Sequence, residues 1–134
     1  MQSNHSWAVQ EVYSQHFIYE LSYMIDKTNA EYYKWGQDCS GWHLVKSDSM
    51  SVIQESMPPH TSEVRHKHSK SQQFFFVLSG KATIEIDGKM HLLQSEQGLE
   101  IAPGTVHQVL NNSNKELHFL VASCPPSHGD RINI

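Results

Sequence analysis

The sequence has little cysteine, no cluster of positive charge and no long apolar run. Its two cysteines, Cys39 and Cys124, are too few for a disulfide-rich secreted scaffold, so we expect both as reduced thiols. Lysine and arginine total 10 against 14 acidic residues, which gives a formal net charge of -4. Proteins bind the phosphates of nucleic acids through a positively charged surface, and this chain has no basic patch. We therefore expect no nucleic-acid partner.

The amino-terminal segment lacks the features of a leader peptide or a membrane anchor. Residues 1–17 hold neither a basic region nor an uninterrupted apolar run. No stretch of the chain is long and apolar enough to cross a bilayer. We therefore expect a cytoplasmic protein with no membrane partner.

A chain of 134 residues is long enough for one domain that buries about two thirds of its unfolded surface. We expect an N-terminal helical or extended arm at residues 1–28, a β-domain at 29–124 and a tail at 125–134. Within the arm, apolar residues recur at steps of three and four, namely Val9, Val12, Tyr13, Phe17, Leu21, Met24 and Ile25. This spacing predicts a helix over residues 7–25 that packs on the domain or on a second subunit.

Turn signals recur at short intervals after residue 30, and apolar residues alternate between them. The predicted strands include residues 51–57, 81–86, 89–93, 99–101 and 116–122, with a hairpin turn at Asp87-Gly88. This pattern is typical of an all-β barrel or jelly roll. Two prolines after Cys124 should end the sheet, so residues 125–134 are expected to leave the barrel and lie over its surface.

The most informative segment is residues 66–80, HKHSKSQQFFFVLSG. His66 and His68 stand two apart, so on a strand both imidazoles point to the same face. Gln73 begins an alternation in which Phe75 and Val77 share its face. If these polar side chains face one interior, they offer two nitrogens and an amide oxygen to a metal ion.

A second segment, residues 101–111 (IAPGTVHQVLN), places His107 on a short apolar strand after a Pro103-Gly104 turn. Together the two segments resemble the signature motifs of the cupin superfamily, HxH with an acidic residue and glycine, then PxGxxHxxxN. The likeness is to small single-domain cupins of the conserved-barrel, mannose-6-phosphate-isomerase-like type. It implies a double-stranded β-helix (the cupin jelly roll) with His66, His68, Gln73 and His107 as metal ligands.

The sequence departs from the family pattern at three points. Gln73 stands where the pattern usually has glutamate, and Ala102 stands where it has proline. His60 and Glu96 replace the glycines that normally open the two motifs. The turn positions bear on loop geometry, but the glutamine changes the charge of the site.

The resemblance implies one divalent ion, which can be Zn, Ni, Mn, Co or Fe(II). Because no expected ligand is anionic, the ion keeps a charge of about two and should attract a small anionic, chelating ligand. We expect a Lewis-acid isomerase, tautomerase or lyase acting on a sugar acid or oxo acid. A metal-dependent dioxygenase is the first alternative, and a non-catalytic cupin that only binds a small molecule is the second.

Other site residues are harder to assign from the sequence. The candidates for substrate binding are Trp42, His43, Phe75 and Arg65. No general base is obvious, and the catalytic candidates are His43, His91 and Tyr33. A homodimer is expected, because small cupins often pair and the predicted helix has an apolar face to bury.

Overall fold

The computed structural model describes residues 24–134, and in this part of the chain twelve strands form two antiparallel sheets. In chain order the strands are β1 Glu31–Trp35, β2 Cys39–Lys46, β3 Ser51–Met57, β4 Thr61–Ser62, β5 His66–His68, β6 Gln72–Ser79, β7 Ala82–Ile86, β8 Lys89–Leu93, β9 Gly98–Ile101, β10 His107–Asn111, β11 Leu117–Cys124 and β12 Arg131–Asn133. The first sheet has the order β1-β2-β3-β11-β6-β9 and the second β12-β5-β10-β7-β8, with β4 paired to β10. This confirms the expected all-β double-stranded β-helix.

The inner faces of the two sheets supply the hydrophobic core. Along β11, Leu117, Phe119 and Val121 are at most 5% exposed, whereas the alternate residues His118 and Leu120 point outward. Buried residues of other strands complete the core: Cys39, Ile53, Met57, Phe75, Val77, Ala82, Ile84, Leu93, Ile101 and Val109. Burying one such aliphatic or aromatic side chain contributes about 1.5–3 kcal/mol, so the alternation fixes which face turns inward.

Strand β6 follows the period of two that its sequence predicts. Gln73, Phe75 and Val77 are buried, while Gln72 and Phe74 are exposed. The same parity holds on β5, where both histidines are buried and Lys67 between them is not. The polar residues of the first motif therefore enter the space between the sheets.

Gly80, which ends the first motif, is a position where only glycine fits. Its φ is +87°, and an added Cβ would lie 2.6 Å from the carbonyl oxygen of Glu116. The turn between β6 and β7 thus packs directly against the chain that enters β11. A larger residue would have to separate these two segments.

The carboxy-terminal residues correct one expectation. The chain leaves the first sheet at Pro125 as predicted, but residues 131–133 form β12 and pair with β5 at the edge of the second sheet. The Asp130 carboxylate accepts hydrogen bonds from the backbone N–H groups of Ser69, Lys70 and Ser71. Prolines end a strand, but they do not prevent a new strand from forming where β5 offers an unpaired edge.

The predicted helix over residues 7–25 lies almost wholly outside the described residues. The described chain begins at Met24 and reaches β1 through a turn in which Asp26 accepts hydrogen bonds from the backbone and side chain of Thr28. No apolar helix of membrane-spanning length occurs within residues 24–134.

Candidate metal centre

Three buried histidines meet between the two sheets. His66 and His68 come from β5, and His107 of β10 is paired directly opposite His66. One ring nitrogen from each lies within 4.8 Å of the others, and the three side chains are at most 5% exposed. The ring centroids of His66 and His107 are 4.4 Å apart. Three converging imidazoles of this kind can hold one metal ion.

Backbone carbonyls orient two of the rings. His66 Nδ1 lies 2.8 Å from the carbonyl oxygen of Val64, and His107 Nδ1 lies 2.9 Å from that of Thr105. In each contact the protonated Nδ1 must donate, because a carbonyl oxygen only accepts. The proton is therefore held at Nδ1, and Nε2 keeps its lone pair for a metal ion.

Gln73 is turned so that its carbonyl oxygen is free. Its Nε2 donates to Ser123 Oγ at 3.0 Å, while Oε1 is buried and has no hydrogen-bond partner within residues 24–134. His68 Nδ1 and His107 Nε2 are also buried without a partner in that range. Buried polar atoms normally find a partner, so this group of unpaired acceptors fits a bound cation.

Burial keeps the histidines neutral. It lowers the pKa of His66 to about 3, and it is the main reason why the pKa values of His68 and His107 also lie below the ordinary histidine value. Neutral imidazole is the form that binds metal. The donor set of three imidazoles and one amide oxygen is therefore uncharged.

A cavity of about 290 Å³ adjoins this cluster. It lies between the first sheet and the β5–β12 edge of the second, and the carboxy-terminal segment contributes to its wall. Its lining residues are Tyr33, Trp35, Ile53, Glu55, Glu63, His66, His68, Gln73, Phe75, Val121, Ser127, His128, Gly129 and Arg131. The volume suits a small molecule rather than a polymer.

Two glutamates of the cavity are absent from the sequence-based candidates. Glu55 occupies an inward position of β3, two residues after the buried Ile53. Side chains alternate along a strand, so the spacing from this apolar residue is the signal that could have indicated Glu55. Burial raises the pKa of Glu55 to about 7 and that of Glu63 to about 8. Glu63 lies between β4 and β5, where no strand period indicates its direction.

Glu63 and Arg131 meet at the same wall of the cavity. Glu63 Oε2 accepts the backbone N–H of Val109 at 3.0 Å, and its Oε1 is 3.8 Å from Arg131 Nη1. Arg131 also donates to the carbonyl oxygen of Val64 at 3.1 Å. The position of Arg131 depends on the pairing of β12, which no local pattern of residues indicates.

Three of the residues expected at the site from the sequence border the cavity or stand just behind its wall. Phe75 lines it, with its ring edge-on to His107 at a centroid distance of 6.1 Å. Tyr33 lines it from β1. His43 is buried behind Tyr33, at 5.0 Å between ring centroids, and borders a separate surface recess shared with His128.

Trp42, Arg65 and His91, which are also candidates from the sequence, do not line this cavity. Trp42 points outward, since Gly41 and His43 on either side of it point inward, and Lys27 Nζ lies 4.9 Å from its ring. Arg65 Nε donates to Glu85 Oε1 at 2.6 Å and is held by that ion pair. His91 belongs to β8, opposite Ile84, and no wall of the cavity includes that hairpin.

Residues 53–123 match the protein family described as "Cupin domain". An uncharacterized protein of Methanocaldococcus jannaschii is 27% identical over 89 residues, which cover 66% of this chain and 71% of that protein. An RmlC-like cupin from Shewanella frigidimarina superposes with a TM-score of 0.72 at 13% identity, over 81% of this chain and 95% of that chain. A sugar phosphate isomerase of the cupin superfamily from Silicibacter pomeroyi superposes with a TM-score of 0.67 at 19% identity, over 78% of this chain and 76% of that chain. At these identities the two structures show a shared fold only.

Proposed function

This chain belongs to the cupin family, and on that premise we propose that it is a metal-dependent isomerase, tautomerase or lyase. Its substrate is a small anion such as a sugar acid or an oxo acid. The observation that carries the proposal is the uncharged donor set of His66, His68, His107 and Gln73, of which His66, His68 and Gln73 line a small cavity. The likeness in fold to a sugar phosphate isomerase is consistent with this class of reaction.

The chemistry follows from the charge of the site. His66, His68, His107 and Gln73 would hold a divalent ion, which would supply Lewis-acid polarisation of a substrate carbonyl. Because all four donors are neutral, none of the ion's charge is cancelled by a ligand, which favours an anionic substrate. The same neutrality disfavours oxidation chemistry, since an anionic ligand helps to stabilise a higher oxidation state. Zn, Ni, Mn, Co and Fe(II) all accept such donors.

Arg131 is the cation that this cavity offers to an anionic substrate. It lines the cavity, and its neighbour Glu63 lies at 3.8 Å rather than at the closer distance of a strong ion pair. Burial favours the protonated, neutral form of Glu63. Arg131 Nε donates to Asn133 Oδ1 and Nη2 donates to the Val64 carbonyl oxygen, so Nη1 remains available for a carboxylate or phosphate group of the substrate.

Replacing Arg131 by glutamine should raise KM for the anionic substrate by about 10-fold to 100-fold. This increase corresponds to the loss of one or two charge-assisted hydrogen bonds. Arg131→Lys should retain part of the affinity because it keeps the charge. Steady-state kinetics of both variants, with metal content measured in parallel, checks this. Arg65→Gln is the matched control, since Arg65 is paired with Glu85 outside the cavity. A KM unchanged in Arg131→Gln would remove Arg131 from substrate binding.

The function is tested by elemental analysis of protein purified without chelator or histidine tag. The metal-loaded protein is then incubated with a panel of sugar acids and oxo acids, with and without dioxygen. Bound Zn, Ni, Mn or Co with turnover that does not need dioxygen is the expected result. Bound iron with stoichiometric dioxygen uptake would instead identify a dioxygenase, and bound metal without any turnover would identify a binding module.

A further inference from the structure

We propose that Glu55 is the general base of this cavity and that Tyr33 is the residue that positions it. In this assignment the Glu55 carboxylate removes a proton from a substrate carbon next to a carbonyl group. The Tyr33 hydroxyl holds the carboxylate in place by a hydrogen bond. The inference rests on the proposed function, because it supplies the proton transfer that a Lewis-acid isomerase, tautomerase or lyase requires.

The pair is built across three adjacent strands. Tyr33 of β1 is in register with Gly41 of β2, which is in register with Glu55 of β3. Tyr33 Oη donates to Glu55 Oε2 at 2.6 Å. The tyrosine ring crosses Gly41 so closely that an added Cβ there would lie 2.3 Å from the ring Cζ atom. The missing side chain at Gly41 is what allows Tyr33 to reach Glu55.

The second carboxyl oxygen of Glu55 is available to a substrate. Both Tyr33 and Glu55 line the cavity that His66, His68 and Gln73 also line. Oε1 of Glu55 accepts no hydrogen bond from the residues that the structure describes, whereas Oε2 is held by Tyr33. One oxygen is thus anchored and the other is free, which is the arrangement of a positioned base.

The surroundings set the protonation of the pair. The titratable and charged groups that share the cavity with Glu55 are Tyr33, Glu63, His66, His68, His128 and Arg131. Burial raises the pKa of Glu55 to about 7, and the hydrogen bond from Tyr33 and the charge of Arg131 limit this rise. Burial and the Glu55 carboxylate raise the pKa of Tyr33 above its usual range, so its hydroxyl stays protonated and remains a donor. A base that titrates near neutral pH is matched to proton transfer at that pH.

The step balances without any added oxidant or reductant. Glu55 Oε1 forms an O–H bond as the substrate C–H bond breaks, and the electron pair moves to the carbonyl oxygen, which gives an enolate, or an enediolate where the carbon bears a hydroxyl group. In isomerisation of a hydroxy carbonyl substrate, the hydroxyl proton moves to the former carbonyl oxygen as the protonated Glu55 gives its proton to the former carbonyl carbon. In tautomerisation it returns the proton to a different atom of the same conjugated system.

The first test measures Glu55 in the metal-free protein, so that it does not depend on turnover. Carbon-13 NMR of protein labelled at glutamate carboxyl groups should show one resonance that titrates near pH 7 and is absent in Glu55→Gln. In Tyr33→Phe the midpoint should move to higher pH, because the hydrogen bond that stabilises the carboxylate is lost. Gly41→Ala should give the same shift, because the added methyl group displaces the tyrosine ring. A midpoint that stays in place in both variants would overturn the positioning role of Tyr33.

The second test uses the metal-loaded protein and one substrate that the wild type converts. Glu55→Gln should lower kcat by about 100-fold or more, with unchanged metal content and KM, since general-base catalysis is commonly worth that factor. Tyr33→Phe should shift the acidic limb of the pH profile to higher pH. Glu116→Gln, a change at an exposed carboxylate outside the cavity, is the control and should have no effect.

The outcomes separate the two proposals. If Glu55→Gln converts the substrate at the same rate as the wild type, Glu55 is not the general base. The proposed function would still stand in that case. A metal-loaded wild type that converts no member of the substrate panel would overturn the proposed function, and the role of Glu55 with it.

Discussion

Replacing His107 by alanine is expected to lower metal affinity by at least about 100-fold while the protein remains folded. Loss of a residue that only supports a metal ligand already costs about 10-fold to 100-fold, so loss of a ligand should cost no less. His107 is one of the three clustered histidines, with Nδ1 anchored on Thr105 and Nε2 buried without a partner in the described part of the chain. His66→Ala should behave in the same way, because His66 is paired with His107 on the adjacent strand.

Two measurements check this expectation. Elemental analysis should find about one equivalent of metal in the wild type and far less in His107→Ala. Metal at about 100 times its Kd for the wild type should stabilise the wild type by about 2.7 kcal/mol, or roughly 10 °C in Tm, and should stabilise the variant by no more than about 0.4 kcal/mol. The metal-free variant should melt cooperatively, which shows that the fold remains. His91→Ala is the matched control, because His91 lies on β8 outside the cavity. Full metal content in His107→Ala would mean that the ligand set is wrong.

Asn111→Ala should cause a loss of stability that is large for a polar substitution, about 3 kcal/mol or more. Asn111 is fully buried at the end of β10. Its Nδ2 group donates to the carbonyl oxygens of Met57, Pro58 and Lys115, and its Oδ1 accepts from Ser113. Alanine would leave at least two buried groups unpaired, at about 1–3 kcal/mol each.

Urea unfolding of Asn111→Ala and of Asn112→Ala makes this comparison. Asn112 is the next residue and is exposed, so its substitution should change the free energy of unfolding by no more than about 0.5 kcal/mol. Asn111→Asp should be as damaging as the alanine variant, because a carboxylate cannot donate to three carbonyl oxygens. Equal stability of the two alanine variants would show that the Asn111 network adds nothing to the fold.

Much of the fold could be predicted because its signals are local. The period of two along β6 and β11 follows from the pleat of a strand, and it requires only that one face be buried. The Asp87-Gly88 turn shows its type in two residues, both with positive φ in the structure. The C-terminal strand β12 could not be predicted, because its partner β5 lies far away in the sequence and no local pattern indicates an open edge.

The outward position of Trp42 shows a further limit of sequence patterns. Alternation along β2 separates Trp42 from His43, but it does not reveal which of the two faces is buried. That choice depends on the neighbouring strands. Gly41 can face inward only because the Tyr33 ring fills the space over it. Packing between strands, rather than the chemical type of a single residue, therefore determines which aromatic side chain lines the cavity.

The sequence by itself determined most of the strands, the inward direction of His66, His68 and Gln73, and the family motifs that relate them to His107. These are properties of residue spacing, which a strand converts into direction at every position. Only the tertiary structure decided that Glu55, Glu63, Tyr33 and Arg131 line the same cavity. Their meeting depends on which strand edges come together, and the raised pKa values of the two glutamates depend on the burial that results.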